Sequence, residues 1–422
     1  MLGDELYNFG QEEFSELISK CEIAYNQGTL ESLTFTEEEF EYLINHFVDE
    51  LEDHIVYTIT KMASQQHPYS TELIVRYADV LIVHNQTDEA LEILSKLIVL
   101  DPGNSDIHFL MARVYIKTKE PQTVSKYLES ALSLATTEGI DMLLTASQDY
   151  IDTFMYEEAI DLLERAELLA PAHQDLINDI AFCYERMGLL TESMLYYQRY
   201  LEIDPFNDNV WFNVGTIYAR EFQLEKAIEA FDYALAINPE NSSVLYNKAI
   251  LLVNSEKFSE AIKTFSAFLD IEPDNLFALS GIGYAYLAKD KIEQAQNYFK
   301  LALNENPLYI EASTGLAYIS MLKHNDEQTT IFLKRIIGKE DTDYSIIVGE
   351  LLTTYKRTEN PEILIAYLTA LYNLMEVELF YINLEILLTL DPVWLAKLYE
   401  LIPELKKDDS VTNHIKKIKK EL

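Results

Sequence analysis

Along most of the chain, apolar residues return every three or four positions, the spacing of a helix with one buried face. Residues 208–241 show the pattern in full: Trp211, Val214 and Tyr218 recur at helical spacing, Gln223-Leu224-Glu225 permits a turn, and Ala227, Phe231 and Ala234 recur again before Pro239. The stretch predicts two amphipathic helices joined by a short turn. Small residues stand where these helices must meet, Gly215 on the first and Ala227 on the second, because a larger side chain at a crossing holds the axes apart. Ala249 with Ala261, and Gly283 with Ala295, repeat the device in the following units.

Pro171, Pro205, Pro239, Pro273 and Pro307 lie 34 residues apart, and Pro68 and Pro102 repeat the step. With only 11 prolines in 422 residues, such a series requires a duplicated unit. Proline lacks a backbone N–H and disfavours helix in the residue before it, so it suits the break between one unit and the next. Neighbouring Asp and Asn, as in Asn238-Pro239-Glu240-Asn241 and Glu272-Pro273-Asp274-Asn275, are suited to cap the helix that follows.

A Trp or Leu, then Leu or Val with Gly or Ala, then Tyr, and finally Ala, Phe, Ala and Pro at these offsets resembles the tetratricopeptide repeat family. The resemblance implies an all-α fold, a right-handed superhelical solenoid of antiparallel helix pairs with a 34-residue period. Strong units fall at 140–173, 174–207, 208–241, 242–275 and 276–309, with good ones at 71–104 and 105–138. Together 71–309 forms a core array of seven repeats. The unit at 105–138 has Thr136 in place of proline, with Gly139 behind it as a one-residue insertion. Residues 37–70 read as a degenerate repeat opening on Thr36 and Glu39 in capping-box spacing. Residues 310–394 read as degenerate repeats with an extra helix around Ser345 to Tyr355. The remaining segments, an acidic 1–36 and a Lys-rich 395–422, are expected as helical caps, since terminal repeats must turn one face to water.

Solenoids of this family line a concave groove with their first helices, and extended peptides often lie there. By resemblance, the groove offsets fall on Phe109 and Arg113, Asn178 and Phe182, Phe212 and Asn213, Tyr246 and Asn247, and Ser280 and Tyr284. Asn213 and Asn247 share one offset, so their amides are placed to hydrogen-bond successive backbone groups of a peptide, as in the asparagine ladder of some long family members. Asp179 precedes these two rungs and Gly281 follows them. Two readings therefore stand: ladder, or amides at solvated helix positions without a role. The aromatics Phe212, Tyr246 and Tyr284 are likewise either exposed anchors or packing against the adjacent helix. Some family members grip a C-terminal carboxylate with basic residues, but the matching offsets here hold Asp141, Asp175, Asn209, Ser243 and Phe277. An acidic surface repels a carboxylate, which argues against that role.

Composition narrows the partner. The chain carries 71 acidic and 32 basic residues, a formal charge of −39, so nucleic acid is not expected and a basic or neutral protein or peptide is. Hydrophobic residues at 49 % indicate a chain able to fold throughout. Cys21 and Cys183 lack metal or redox spacing and read as unbridged, with Cys183 a small core residue. The eight histidines are scattered, and there is no HExxH, no Gly-rich phosphate loop and no nucleophile with a recognisable base. We therefore expect a non-catalytic interaction scaffold with no cofactor and no metal. Neither a leader nor an 18-residue apolar span is visible, so the expected location is cytoplasmic. The alternative is a membrane-associated assembly factor tethered by a C-terminal helix in which Ile415, Ile418 and Leu422 face away from Lys416, Lys417, Lys419 and Lys420.

Overall fold

The computed structural model describes residues 2–135 and 139–421, with side chains from residue 14 to residue 420. Thr136 and Leu422, both singled out above, lie outside the described residues. Among those residues all regular structure is helical, in 24 α-helices and three short 3₁₀ turns. Helix α1 (Leu2–Asn26) precedes the pair α2 (Glu37–Asp49) and α3 (Asp53–Gln66). Then come α4 (Thr71–Val83) with α5 (Thr87–Leu100), α6 (Ser105–Lys117) with α7 (Pro121–Leu134), α8 (Gly139–Asp152) with α9 (Tyr156–Leu169), and α10 (Gln174–Arg186) with α11 (Leu190–Ile203). These form one compact unit, up to Pro205.

The second unit, from Phe206 on, opens with α12 (Asp208–Arg220) and α13 (Leu224–Ile237), α14 (Ser242–Asn254) and α15 (Phe258–Ile271), and α16 (Leu276–Ala288) and α17 (Ile292–Glu305). It continues through α18 (Ile310–Leu322) and α19 (Asp326–Ile336), α20 (Val348–Thr358), α21 (Pro361–Asn373) and α22 (Val377–Leu388), α23 (Pro392–Leu401) and α24 (Asp409–Glu421). The extra helix expected near Ser345 is α20, preceded by a 3₁₀ turn at Tyr344–Ile346. The expected division at 394/395 falls inside α23. Asp391 caps that helix, accepting from Val393 N at 2.9 Å, so the break comes before Pro392.

Each junction has a local cause. Asn104, Asn207, Asn241 and Asn275 are N-caps at corresponding offsets; the last three accept from Val210, Val244 and Ala278 N at 3.0, 3.1 and 3.1 Å. Thr36 and Glu39 form the expected capping box. Helix α8 begins one residue early, at Gly139, and all later repeats are displaced accordingly: α7 to α9 is a 35-residue step and α9 to α11 a 34-residue one.

The turn inside each pair is more unusual. Leu51, Asn85, Lys119, Phe154, Gly188, Phe222, Glu256, Asp290 and His324 all have positive φ, between 54° and 80°, and only one of the nine is glycine. A left-handed residue ends the first helix and lets the next amide reach back, as Gln223 N does to Tyr218 O at 2.8 Å. Each Cβ at these sites costs about 1–2 kcal/mol, which the packing of both flanking helices offsets.

That packing is close. In the second unit Phe231, Phe265 and Phe299 occupy one offset on successive second helices. A Cβ added to Gly215 would come within 2.5 Å of the Phe231 ring, and one on Gly281 within 2.8 Å of Phe265. Phe299 is fully buried between two such gaps: added Cβ atoms at Gly283 and Gly315 would lie 2.6 and 2.4 Å from it. One ring therefore joins α16, α17 and α18. We expect Gly315→Val to cost about 1–3 kcal/mol in urea unfolding through overpacking, and Phe299→Leu to recover part of that loss in the double variant. Strict additivity of the two substitutions would show that ring and gap are not paired.

Candidate functional site

Successive first helices touch one another within each unit: α4, α6 and α8 in the first, and α14, α16 and α18 in the second. Side chains from these helices therefore lie beside their counterparts one repeat away, which is the geometry a bound segment would follow.

In the first unit the first helices are tied by a buried ion network. Arg113 is 8 % exposed; its Nε donates to Asp149 Oδ2 at 2.6 Å and its Nη2 to Oδ1 at 3.3 Å, while Nη1 pairs with Asp79. Lys117 Nζ lies 3.3 Å from Asp149 Oδ1 and 3.6 Å from Asp152 Oδ2. Arg113 is thus not a groove contact. It sits between acids on the helices before and after its own, and a guanidinium so placed is used up in a fork to a carboxylate.

The next turn of α8 opens into a recess of about 630 Å³ shared with α10. Gln148, Ile151 and Asp152 come from α8, Phe154 and Tyr156 from the turn and the start of α9, and Asn178, Asp179, Phe182 and Arg186 from α10. Phe154 is 72 % exposed, and its ring lies 6.4 Å from Tyr156, which in turn lies 6.3 Å edge-on to Phe182. Arg186 Nε donates to the Tyr156 hydroxyl at 3.3 Å, with its guanidinium 6.0 Å from the Phe182 ring centre. Burial pushes the Asp179 carboxyl up to about 6 despite a hydrogen bond from Asn178. Asn178 and Phe182, expected from the sequence, are both here. Phe154, Tyr156 and Arg186 were not anticipated, although an exposed phenylalanine in an intra-pair turn was a visible signal.

In the second unit Phe212, Asn213, Tyr246 and Asn247 lie on α12 and α14. Phe212 is half-buried, stacked on Phe231 with ring centres 5.9 Å apart, and Asn213 is half-buried beside it. Tyr246 is also half-buried, 5.5 Å from Phe268, while Asn247 is exposed and donates its Nδ2 to the Ser243 carbonyl at 2.8 Å. With Ser242, Ser243, Glu272 and Asn275 these two line a recess of about 250 Å³. The offset of Asn213 and Asn247 carries Gly281 and Gly315 in the next repeats, where no side chain fits beside Phe265 and Phe299. Packing ends that row of amides.

Tyr284 and Ser280 are committed within the protein. Tyr284 donates its hydroxyl to the Glu311 carbonyl at 2.7 Å, and its ring stands edge-on to Phe299 at 4.9 Å. Burial lifts that phenol well above its ordinary range. Ser280 is buried, donating to the Leu276 carbonyl at 2.8 Å.

The tetratricopeptide repeat model matches residues 218–282, and a second model of the same repeat matches 175–207 and 278–307. The chain is a tetratricopeptide-repeat protein. No curated protein sequence matches it. Among solved structures it is similar to the C-terminal part of a TPR repeat-containing protein from Cytophaga hutchinsonii, at 17 % identity over 65 % of this chain and 98 % of that one, with a TM-score of 0.44. A second is MamA from Desulfovibrio magneticus RS-1, at 19 % identity over 38 % and 94 %, with a TM-score of 0.36. A third is YrrB, described as a TPR protein with an unusual peptide-binding site, at 22 % identity over 45 % and 97 %, with a TM-score of 0.34.

Among the described residues no group of His, Cys, Asp and Glu is arranged to hold a metal ion, and no helix is long and apolar enough to cross a membrane. Both cysteines are buried and free; burial pushes the Cys21 thiol up to about 11 and that of Cys183 up to about 12. The apolar face of α24 is engaged: Val411 and Ile415 are buried in the core formed by α21, α22 and α23. The lysines of that helix point outward.

Arg113→Met leaves buried Asp149 with Lys117 as its remaining counter-ion and should cost about 1–3 kcal/mol in chemical denaturation, below the full cost of a buried charge left unpaired. A loss below about 1 kcal/mol would show that the network is slack. Asp179 gives a second, pH-dependent test. Its proton is held more tightly in the folded chain, near 6 against an ordinary 3.8, so this group lowers stability as pH rises through that interval. Melting of the Asp179→Asn chain should exceed that of the wild type above pH 6 and converge with it below pH 4.

Proposed function

We propose that this chain is a non-catalytic scaffold that holds an extended segment of a partner protein against the first helices of its repeats. The observation that supports this most directly is the pair of open recesses on those helices, one between α8 and α10 and one beside Tyr246 and Asn247, each combining side-chain amides with aromatic rings. Rings supply apolar contact at low entropic cost, and amides satisfy peptide N–H and C=O groups without reading side chains. Asn247 gives one Nδ2 hydrogen to its own helix, so its second N–H and its carbonyl oxygen are the groups it offers.

Phe182, Asn178, Phe212, Asn213, Tyr246 and Asn247 are the proposed contacts, with Tyr284 holding the neighbouring helices in place. The formal charge of −39 favours a basic or neutral partner and disfavours nucleic acid.

Affinity capture from native extract with the wild-type chain and an Asn213→Ala, Asn247→Ala double variant of equal helicity tests the reading. The expected result is a set of partners held by the wild type and lost, or weakened by about tenfold, in the variant, the size of two or so hydrogen bonds. Equal retention would move the contact surface off these helices.

A further inference from the structure

The recess between α8 and α10 is built differently from the one beside Asn247. Its walls are three aromatic rings, and its floor includes a half-buried carboxylate, Asp179, which forms no ion pair among the described residues. The other lining acid, Asp152, is already engaged, accepting from Gln148 at 2.9 Å and facing Lys117. A desolvated carboxylate without a counter-ion is unfavourable, and an incoming cation relieves it.

The ring faces point to the same ligand. Aromatic π-systems attract cations, most strongly where water is partly excluded. Within the protein itself Arg186 shows the arrangement, its guanidinium over Phe182 and its Nε on the Tyr156 hydroxyl. Arg186 is exposed and ends α10, so it stands at the edge of the recess and not on its floor. At about 630 Å³ the space admits a long side chain with its stem extended.

We propose that this recess takes a lysine or arginine side chain of the bound segment, its cation meeting Asp179 and its aliphatic stem lying on Phe154 and Phe182. This rests on the scaffold reading above and adds a specificity to it: this recess selects a basic residue. The elevated carboxyl of Asp179 accords with the assignment, since a bound cation would draw it back toward its ordinary value. Arg186 competes for the same rings and sets how tightly the ligand cation binds.

A displayed library of random twelve-residue peptides, panned on the full chain, provides the test. The expected result is a consensus with lysine or arginine at one fixed position. A labelled peptide of that consensus should bind the Asp179→Asn chain about tenfold more weakly, and the Arg186→Gln chain at least as tightly as the wild type. Phe154 is exposed, so Phe154→Ala should weaken binding without loss of fold and gives a second, independent reading. Selected peptides without a fixed basic residue, or equal affinity for the wild-type and Asp179→Asn chains, would overturn this assignment and leave the scaffold reading standing. No enrichment on the wild-type chain would remove the scaffold reading, and this assignment with it.

Discussion

The second unit depends on a shape constraint: the bulky rings Phe231, Phe265 and Phe299 on its second helices need a missing side chain on the first helices they touch. Phe299 meets this between Gly283 and Gly315, and Phe231 and Phe265 meet it against Gly215 and Gly281. An aromatic of that size removes a large apolar area from water, but only if the helix axes approach closely enough to leave no void. Because the ring contacts both its own first helix and the next one, the same contact that closes a repeat also sets the repeat that follows.

Function occupies what packing leaves over. On first helices, the positions nearest the second-helix rings are closed to large side chains, which is why the amides at Asn213 and Asn247 give way to Gly281 and Gly315. Earlier repeats carry Asp179, Asn213 and Asn247 at that same offset, with Asn178, Phe212 and Tyr246 one residue before it. In the first unit the open face is partly filled by the Arg113 network, whose two ion-paired faces hold α4, α6 and α8 together. A buried network of this kind tolerates no partial loss, so it fixes the position of α8 and with it one wall of the recess beside α10.

Much of this was legible in the chain itself. The helix pairs, their caps at Asn241 and Asn275, the capping box at Thr36 and the small residues at the crossings all follow from local rules that need no knowledge of neighbours. The site was less legible, because whether a first-helix residue faces a ligand or a neighbour depends on what stands one repeat away. Arg113 has Asp79 at its own offset one repeat earlier and Asp149 one residue past that offset in the repeat after. A repeat-offset rule places it in the groove; the acids draw it into the wall. Tyr284 was placed by the same rule, and its hydroxyl is taken by the Glu311 carbonyl. Phe154 was missed for the opposite reason: it lies in a turn, outside any helical periodicity, at a left-handed position that usually favours glycine.

The most direct test of the account is hydrogen exchange along the full chain with and without a captured partner, resolved to single helices. The account predicts that slowed exchange on binding concentrates in α10, α12 and α14 and at the α8–α9 turn, with α11, α13 and α15 little changed. Protection confined to the second helices or to α24 would contradict it, and would place the partner on a surface that the repeats do not organise for binding.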